Sequence, residues 1–318
     1  MIRVFFNDGK NLKIEVIKEF FEDIEDKEHI VWVDLLKATE KEIAWASKVF
    51  NVKIPKKSEV EEIEISSRYW EDNEIIKINT YFLVEEEGEP FNENVSFIIK
   101  LENKLLITVR YRDFLTFNEV IRKITTDLAL YTNGFKIFSA IMSIRIDRDA
   151  DILEFITKEI NKLSKFAFTG IDITEEILET ISYYEEYNMT IRENLIDKQR
   201  ILSSILKSYR FPSDIKEEFK IMIKDVASLI DYTTFNFEKL SYLQNIFLGL
   251  INLEQNKIVK TLTTLSLLFL PSTLIASIYG MNFKYMPGLE WKFGFLMAIL
   301  LMLFITLVTY IVIRRKGT

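Results

Sequence analysis

Residues Asn256 to Asn282 read NKIVKTLTTLSLLFLPSTLIASIYGMN, and the organisation of the whole chain follows from this stretch. From Thr261 to Phe283 it carries no charged residue. At the rise of an α-helix this uncharged run is about 35 Å long, which is enough to cross the hydrocarbon core of a bilayer. We therefore interpret it as a membrane-spanning helix.

A second uncharged run follows closely. It extends from Phe293 to Ile313 and would be about 32 Å long as a helix. It is apolar on nearly every side, as expected for a helix that faces lipid. Only the segment KYMPGLEWK, from Lys284 to Lys292, separates the two runs. The sequence therefore predicts a tight hairpin of two transmembrane helices.

The first span carries a polar seam, defined here as the residues reached by alternate steps of three and four: Asn256, Val259, Thr263, Ser266, Leu270, Thr273 and Ser277. Such 3.5-residue spacing is typical of helices packed around a shared axis. Polar groups at membrane depth must face protein or water. Two interpretations remain open. The hydroxyls either bond to their own helix or join neighbouring helices, or they line a pore.

The pore interpretation makes two further demands. One hairpin cannot enclose a pore, so a ring of identical chains with the first span innermost is required. Apolar side chains on the seam or next to it would then act as constrictions that close by losing water, and the candidates are Leu270 with Val259 or Leu262.

The first span ends in Gly280-Met281-Asn282. A glycine just past a helix is ordinary C-cap chemistry because it accepts a left-handed backbone, and asparagine is common in turns. Taken alone, the three residues predict a loop. Their position is more informative, because they close the polar span at the membrane boundary.

Several motifs resemble the CorA family of magnesium and cobalt channels. In chain order they are GLINLEQNKIVK, FLPSTLIASIYGMNF, YMP and WKFG, which together cover about positions 249–294. The signature Gly-Met-Asn of that family matches Gly280, Met281 and Asn282. Positions where the family places pore-lining residues fall on Asn256, Leu270, Pro271 and Thr273. One departure is Met286-Pro287-Gly288-Leu289, where many members read Met-Pro-Glu-Leu; the nearest acid here is Glu290.

The resemblance implies an α+β membrane protein that assembles as a funnel-shaped homopentamer. It implies a passive channel for hydrated Mg²⁺, with Co²⁺ and Ni²⁺ as further cargo, and with cytosolic Mg²⁺ bound between subunits as the closing signal. Asp225 falls where relatives place a regulatory acid. Its partners from a neighbouring chain would lie in an acidic run, for which the candidates are Glu85, Glu86, Glu87 and Glu89. The alternative for all these acids is a solvated surface.

Composition excludes several other classes. The net charge of −7 and the lack of a long basic tract argue against nucleic-acid binding. The chain has no cysteine and one histidine, His29, so thiolate and ordinary zinc sites are not expected. No phosphate-binding glycine loop or nucleophile–histidine pair is present, so the sequence does not predict an enzyme.

Basic residues predict the orientation. Five flank the hairpin on the side of the chain termini, namely Lys257, Lys260, Arg314, Arg315 and Lys316, whereas the loop holds Lys284 and Lys292, partly offset by Glu290. The positive-inside rule then places both termini in the cytoplasm. We expect the protein in the cell membrane, which is the inner membrane in a bacterium that has two membranes. Met1 leads directly into IRVFF, so no cleavable signal is predicted.

Three regions are expected along the chain: a cytosolic α/β domain at 1–150, a helical stalk at 151–256 and the hairpin with a short basic tail at 257–318. Strands are predicted at Met1–Phe6, Leu12–Val16, His29–Asp34, Ile63–Ser67, Ile75–Val84, Val95–Leu101 and Lys104–Arg110. The first two strands are expected to form a hairpin through the turn Asn7-Asp8-Gly9, and Asn103-Lys104 is expected to form a tight turn between the last two. Helices are predicted at Thr39–Phe50, with a capping box, at Asp172–Tyr209, and as one helix from Ser213 to Tyr279 that continues from the stalk into the first span.

Overall fold

A computed structural model of the chain describes residues 1–7, 10–17, 24, 27–61, 68–166, 175–288 and 290–315. The chain divides into two units, Met1–Leu243 and Gln244–Thr318. The domain limits predicted at 150 and 256 stay predictions. A helix over Gly134–Phe166 passes through position 150 without a break.

The described part of the first unit contains one mixed sheet. Its strands are β1 (Ile2–Asn7), β2 (Leu12–Ile17), β3 (Ile30–Leu36), β4 (Tyr69–Glu71), β5 (Ile75–Glu86), β6 (Glu89–Lys100) and β7 (Leu105–Arg110). The order across the sheet is β2-β1-β3-β7-β6-β5-β4. Strands β3 and β7 run parallel, and the other neighbouring pairs are antiparallel. This arrangement confirms the predicted mixture of α and β structure.

The N-terminal hairpin is confirmed, since β1 pairs with β2 from Ile2 opposite Ile17 to Asn7 opposite Leu12. Of its predicted turn, Asp8 and Gly9 lie outside the described residues, as does the strand predicted at Ile63–Ser67. The turn predicted at Asn103-Lys104 is present between β6 and β7, and Lys104 has a positive φ of 55°.

One boundary was predicted wrongly. Strand β6 begins at Glu89 rather than Val95, so the acidic run that contains Glu85, Glu86, Glu87 and Glu89 is the tip of a β-hairpin. Glu86 pairs with Glu89, and the two residues between them, Glu87 and Gly88, have φ values of 54° and 85°. Two successive positive φ angles in a two-residue connection match the right-handed twist of the flanking strands.

The interior of the first unit lies along β3. Every residue from Ile30 to Leu35 is buried, including Asp34. The Asp34 carboxylate accepts hydrogen bonds from Arg3, Thr108 and Arg110. Burial by itself would raise the pKa of Asp34, but the two guanidinium groups more than offset that effect and lower it. The buried charge therefore ties β1, β3 and β7 together.

Seven α-helices occur in the described residues: α1 (Glu40–Val49), α2 (Lys57–Glu61), α3 (Leu115–Thr126), α4 (Gly134–Phe166), α5 (Glu175–Lys207), α6 (Ser213–Tyr279) and α7 (Gly294–Arg315). A short 3-10 helix, Lys27–His29, precedes β3. The capping box of α1 is confirmed, with the Thr39 side chain and Glu42 bonding reciprocally. The predicted start of α5 at Asp172 lies outside the described residues.

The longest prediction for a single element is confirmed at both ends. Helix α6 begins at Ser213, directly after Pro212, and ends at Tyr279 after 67 residues. It continues through Gly249 and Pro271, so neither residue interrupts it. Helix α7 then covers 22 residues, from just after the predicted loop to Arg315. Lys316, which was counted for the orientation, lies outside the described residues.

Candidate functional site

Among the described residues, two helices are long and apolar enough to cross a membrane: α6 over its C-terminal part, and α7. This judgement rests on length and composition. Most large apolar side chains along both helices are exposed, such as Leu267, Phe269 and Phe304, at 50, 64 and 63%. Exposed apolar surface of this extent is suited to lipid or to other protein chains rather than to water.

Helix α6 packs on α7 through one face. The half-buried residues of that face are Thr264, Leu268, Pro271, Ser272 and Ile275. Ser272 Oγ lies 2.8 Å from Thr306 Oγ1 and donates to the Met302 carbonyl oxygen at 3.2 Å. A hydroxyl bonded across two helices stabilises such a pair in the membrane. Ser272 and Thr306 were not singled out from the sequence, because Ser272 lies beside the polar seam and its partner is distant in the chain.

The polar seam lies on the other side of α6. Since an α-helix turns by about 100° per residue, the seam is centred roughly opposite the face that packs on α7. All the predicted pore-lining residues are exposed in the single chain, namely Asn256, Val259, Leu262, Thr263, Ser266, Leu270, Thr273 and Ser277. The structure therefore aligns them on one side of the helix and leaves that side uncovered by the described residues of the same chain.

The hydroxyl groups of the seam are of two kinds. Thr273 donates to the carbonyl of Phe269 at 2.9 Å, as the interpretation of bonding within the helix requires. The side-chain hydroxyls of Thr263, Ser266 and Ser277 have no hydrogen-bond partner within the described residues. Hydroxyls left without partners at membrane depth need water or another protein chain.

The signature residues follow directly on α6. The Gly280 amide donates to the carbonyls of Ala276 and Ser277 at 2.9 and 3.2 Å, and the Met281 amide donates to Ile278 at 3.2 Å. Gly280 has no positive φ, so the left-handed cap expected from the sequence is wrong at this position. A Cβ at Gly280 would lie 3.3 Å from the Ala276 carbonyl oxygen. Asn282 is exposed beyond the helix end.

The connecting loop has its own glycine requirement. Gly288, which stands where many family members have an acid, has a φ of 92°. The loop also brings backbone against backbone, because a Cβ at Gly294 would lie 2.0 Å from the Gly288 carbonyl oxygen. Glu290 is exposed, whereas Leu289 lies outside the described residues. The conformation at position 288 is thus one that an acidic residue would adopt only with strain.

The predicted regulatory acids on the β5–β6 hairpin have partners of different kinds. Glu85 accepts a hydrogen bond from the Tyr187 hydroxyl at 3.1 Å. Glu86 forms an ion pair with Arg112 at 2.7 Å, and this guanidinium lowers the pKa of Glu86. Glu87 forms the turn, and Glu89 starts β6. These contacts hold Glu85 and Glu86 in place and leave Glu87 and Glu89 exposed at the tip.

Asp225 is exposed on α6, and its acidic neighbours come from other helices. Partial burial raises the pKa of Asp147 on α4, Lys123 opposes the shift, and the carboxylates of Asp151, Asp225 and Glu119 raise it further. The sequence did not single out Asp147 and Asp151, although their spacing of four places both on one face of a helix. Within the described residues of one chain, no three acidic or histidine side chains are close enough to hold a metal ion.

The fold and the seam define a class: a membrane protein with an N-terminal α/β unit and a C-terminal helical hairpin whose first helix exposes a polar face. The family model of the CorA-like Mg²⁺ transporter protein matches residues 27–315. The chain belongs to this family.

Individual relatives agree over nearly the whole chain. The magnesium transport protein CorA of Wolinella succinogenes is 38% identical over 95% of this chain and 96% of its own length. The protein of that name from Campylobacter jejuni is 36% identical over 97% of each. The complete structure of the CorA magnesium transporter from Methanocaldococcus jannaschii aligns with a TM-score of 0.79 at 22% identity, over 100% of this chain and 98% of that one. That likeness shows the shared fold.

Proposed function

We propose that this chain forms a passive channel through which hydrated Mg²⁺ enters the cytoplasm. One observation carries the proposal: the seam of α6 faces away from α7, is exposed along its length, and ends at Gly280-Met281-Asn282. Copies of α6 around an axis would place the seam toward water and α7 toward lipid. The number of copies, five, is what the family resemblance implies.

The outer mouth of the pore supplies neutral oxygens. Mg²⁺ holds its inner water molecules tightly, so an ion that passes a narrow site keeps much of its shell. A ring of Asn282 side-chain amides and Gly280 carbonyls accepts hydrogen bonds from that shell. The uncharged run from Thr261 to Phe283 contains no carboxylate that would trap the ion, and conduction requires binding weak enough for release.

The driving force is the membrane potential. A potential that is negative inside contributes about 2.3 kcal/mol per charge per 100 mV. Co²⁺ and Ni²⁺ present similar hydrated shells and are expected to pass through the same ring. Both termini lie in the cytoplasm in this proposal, in agreement with the basic residues at Lys257, Lys260, Arg314 and Arg315.

Closure of the pore is assigned to Mg²⁺ at the acids of the first unit. Asp225, together with Asp147 and Asp151, forms an exposed negative surface on α4 and α6. The hairpin acids Glu85, Glu86, Glu87 and Glu89 of a neighbouring copy remain the proposed partners. A bound cation offsets the repulsion and holds the copies together, whereas its loss lets them separate and lets the apolar rings fill with water. These rings are formed by Leu270 and by Val259 or Leu262.

The proposed channel function is tested by measuring ion flux into liposomes that contain the purified full-length protein. We expect Mg²⁺ uptake that increases with a potential negative inside. Asn282→Ala or Gly280→Ala is expected to abolish the uptake while the protein still assembles, because each change alters the oxygen ring. Asn103→Ala, in an exposed turn of the first unit, is the matched control and should conduct normally.

Other outcomes would favour the alternatives. Normal uptake by Asn282→Ala or Gly280→Ala would refute the filter assignment. Uptake of Zn²⁺ without Mg²⁺ would support a zinc transporter of the same superfamily, although Met281 argues against it because such relatives change the middle residue of the signature. No flux of any divalent ion would support a membrane-tethered coiled-coil scaffold.

A further inference from the structure

The first unit contains a pocket whose lining includes Arg112, the ion-pair partner of Glu86, and Asp151. It occupies about 390 Å³ between the end of β3, strand β5, the start of α3 and helix α4. We call it the α3 pocket. Its polar lining includes Lys37, Arg112, Asp113, Thr116, Arg148 and Asp151. A volume of this size is typical of pockets that take small molecules.

The N-terminus of α3 faces this pocket without a side-chain cap. The N-cap residue is Phe114, with an extended backbone at φ −105° and ψ 134°, and its side chain accepts no hydrogen bond. Leu115 and Thr116, the first two residues of the helix, both line the pocket. The Phe117 amide bonds back to the Phe114 carbonyl at 3.1 Å. The amides of Leu115 and Thr116, the first two of the helix, have no acceptor within their own helix, and the helix dipole adds a partial positive charge at this end. Such an end attracts an anion.

Two residues that line the pocket each have a buried donor without a partner among the described residues, and this is an independent indication of a ligand. The Thr116 side chain is 1% exposed, lines the pocket and has no hydrogen bond to its Oγ1 within the described residues. Arg148 donates through its Nη2 to Glu119, but its buried Nε has no acceptor there. Buried polar groups are nearly always hydrogen-bonded, so an unpaired hydroxyl and an unpaired N–H on the lining residues of one pocket require an explanation.

The charge balance of the pocket favours an anion at the α3 end. Lys37 is exposed and has no ion-pair partner among the described residues, whereas Arg112 is shared between Glu86 and Glu93. Of the carboxylates that line the pocket, Asp113 forms an ion pair with Arg110 at 2.9 Å. Asp151 is therefore the lining group that opposes an anion.

We propose that the α3 pocket binds the phosphate group of a soluble phosphate compound. The oxyanion accepts hydrogen bonds from the Leu115 and Thr116 amides of α3, from the Thr116 hydroxyl and from the Arg148 Nε–H, and Lys37 supplies positive charge. Tetrahedral phosphate oxygens match this set of donors, which contains no acceptor other than the hydroxyl. The pocket is larger than one phosphate group, so inorganic phosphate and a nucleotide are both sources to be separated by experiment.

The test is isothermal titration of the full-length protein in detergent with inorganic phosphate and, separately, with ATP. Thr116→Val keeps the shape of the side chain and is expected to weaken binding about tenfold, because it removes a hydrogen bond to a charged group. Lys37→Gln should weaken binding severalfold. The matched control is Lys104→Gln: Lys104 is also exposed and also has a positive φ, but it does not line the pocket.

Two further results distinguish ligand binding from a structural role. Asp151→Asn is expected to tighten phosphate binding, since it removes the opposing charge. Thr116→Val should leave the melting temperature unchanged or raise it, because the hydroxyl has no partner to lose. Binding of ATP but not inorganic phosphate would assign the pocket to nucleotides, and the reverse result to the free ion. Failure of both to bind at about 10 mM, or equal binding by wild type, Thr116→Val and Lys37→Gln, would overturn the proposal.

Discussion

At the scale of residues, neighbouring hydroxyls on α6 have different roles. Ser272 bonds across to α7, whereas the hydroxyl of Thr273, one residue later, bonds to its own helix and lies on the exposed seam. The sequence predicted the seam by its spacing but did not distinguish the role of Ser272, because that role depends on a partner 34 residues away.

Glu290 is the residue on which cation capture is expected to depend. It is the only acid among the residues from Lys284 to Lys292, and Gly288 replaces the acid that many family members have. Glu290→Gln should raise the Mg²⁺ concentration for half-maximal flux about twofold, more at low ionic strength, because the loop loses its one attractive charge. Flux titrations at two salt concentrations measure this. An unchanged titration would exclude a role for Glu290 in capture.

Restoring the family acid at position 288 of the loop should not improve cation capture. Gly288→Glu restores the family residue, but the φ of 92° at position 288 suits glycine. This variant is therefore expected to destabilise the hairpin by about 1–2 kcal/mol and not to improve capture. From sequence comparison alone, Gly288→Glu would be expected to improve cation capture. The comparison shows that an acid is missing at position 288, but it does not show the backbone angle there.

At the scale of elements, α6 has two functional faces. We expect Ser272→Ala to lower the apparent melting temperature of the protein in detergent, through loss of about 0.6–1 kcal/mol of bonding between helices, with Mg²⁺ flux retained. Thr273→Val should do the reverse: near-normal stability with reduced flux, because it makes the seam less polar. Measuring melting and flux for both variants tests the orientation of α6. If Ser272→Ala stopped flux and Thr273→Val did not, the assignment of the two faces would be wrong.

Helix α5 is attached to its surroundings through a buried charge. Lys198 is fully buried, forms an ion pair with Asp149 of α4 at 3.1 Å, and donates to the Tyr81 carbonyl of β5 at 2.8 Å. It also donates to Asn194. Nothing in the sequence distinguished this lysine from the solvated lysines of α5, because its burial results from α4 and β5 packing on both sides of it.

Replacing this charge should be costly. Lys198→Met leaves Asp149 with Arg145 as its remaining cationic partner and leaves the Tyr81 carbonyl without its donor. We expect a loss of about 3 kcal/mol, seen as a drop of several degrees in the apparent melting temperature. The control is Lys220→Met, an exposed lysine paired with Glu217, which should change it little. Equal effects of the two variants would contradict the role of burial.

The same comparison has a predicted pH dependence. Burial lowers the pKa of Lys198 to about 8, while Asp149 opposes the shift. Below that pH both the folded and unfolded states carry the proton, so the contribution of Lys198 to stability is constant. Above about pH 8 the folded state loses the Lys198 proton while the unfolded chain still holds it. The contribution of Lys198 to the free energy of unfolding therefore rises with pH until the unfolded chain also titrates near 10.5. The stability difference between wild type and Lys198→Met should therefore widen from about pH 8 to 10, by at most about 1.4 kcal/mol per pH unit.

At the scale of the whole molecule, the proposed regulation depends on acids that the fold brings together from α4 and α6. Asp225→Lys places a fixed positive charge where a divalent ion would sit, so the channel should stay closed even when internal Mg²⁺ is low. Flux into liposomes with chelated internal Mg²⁺ measures this, and at least a tenfold reduction is expected. Asp231→Lys, an exposed acid on the same helix, is the control. Gating of Asp225→Lys identical to that of wild type would show that the site lies elsewhere.

Protons should compete with this regulation. Partial burial and the neighbouring carboxylates raise the pKa of Asp147, so acidification protonates it earlier than an isolated aspartate. Lowering the internal pH should therefore weaken inhibition by internal Mg²⁺. This follows from the fold, because Asp147 and Asp225 belong to different helices and no spacing in the sequence relates them.

The sequence by itself determined the membrane hairpin, the limits of α6, the polar seam and the family, because each is a property of consecutive residues: absence of charge, helical period or a contiguous motif. Tertiary structure decided which hydroxyls face α7, that Gly288 adopts a left-handed backbone, that the acidic run is a hairpin tip, and that Asp147 lies beside Asp225. The last of these is an electrostatic effect of Asp225 on the pKa of Asp147. These features depend on pairing and packing between segments far apart in the chain. The local sequence pattern does not predict such contacts, because the free energy that favours one set of contacts over another arises only when the segments pack together.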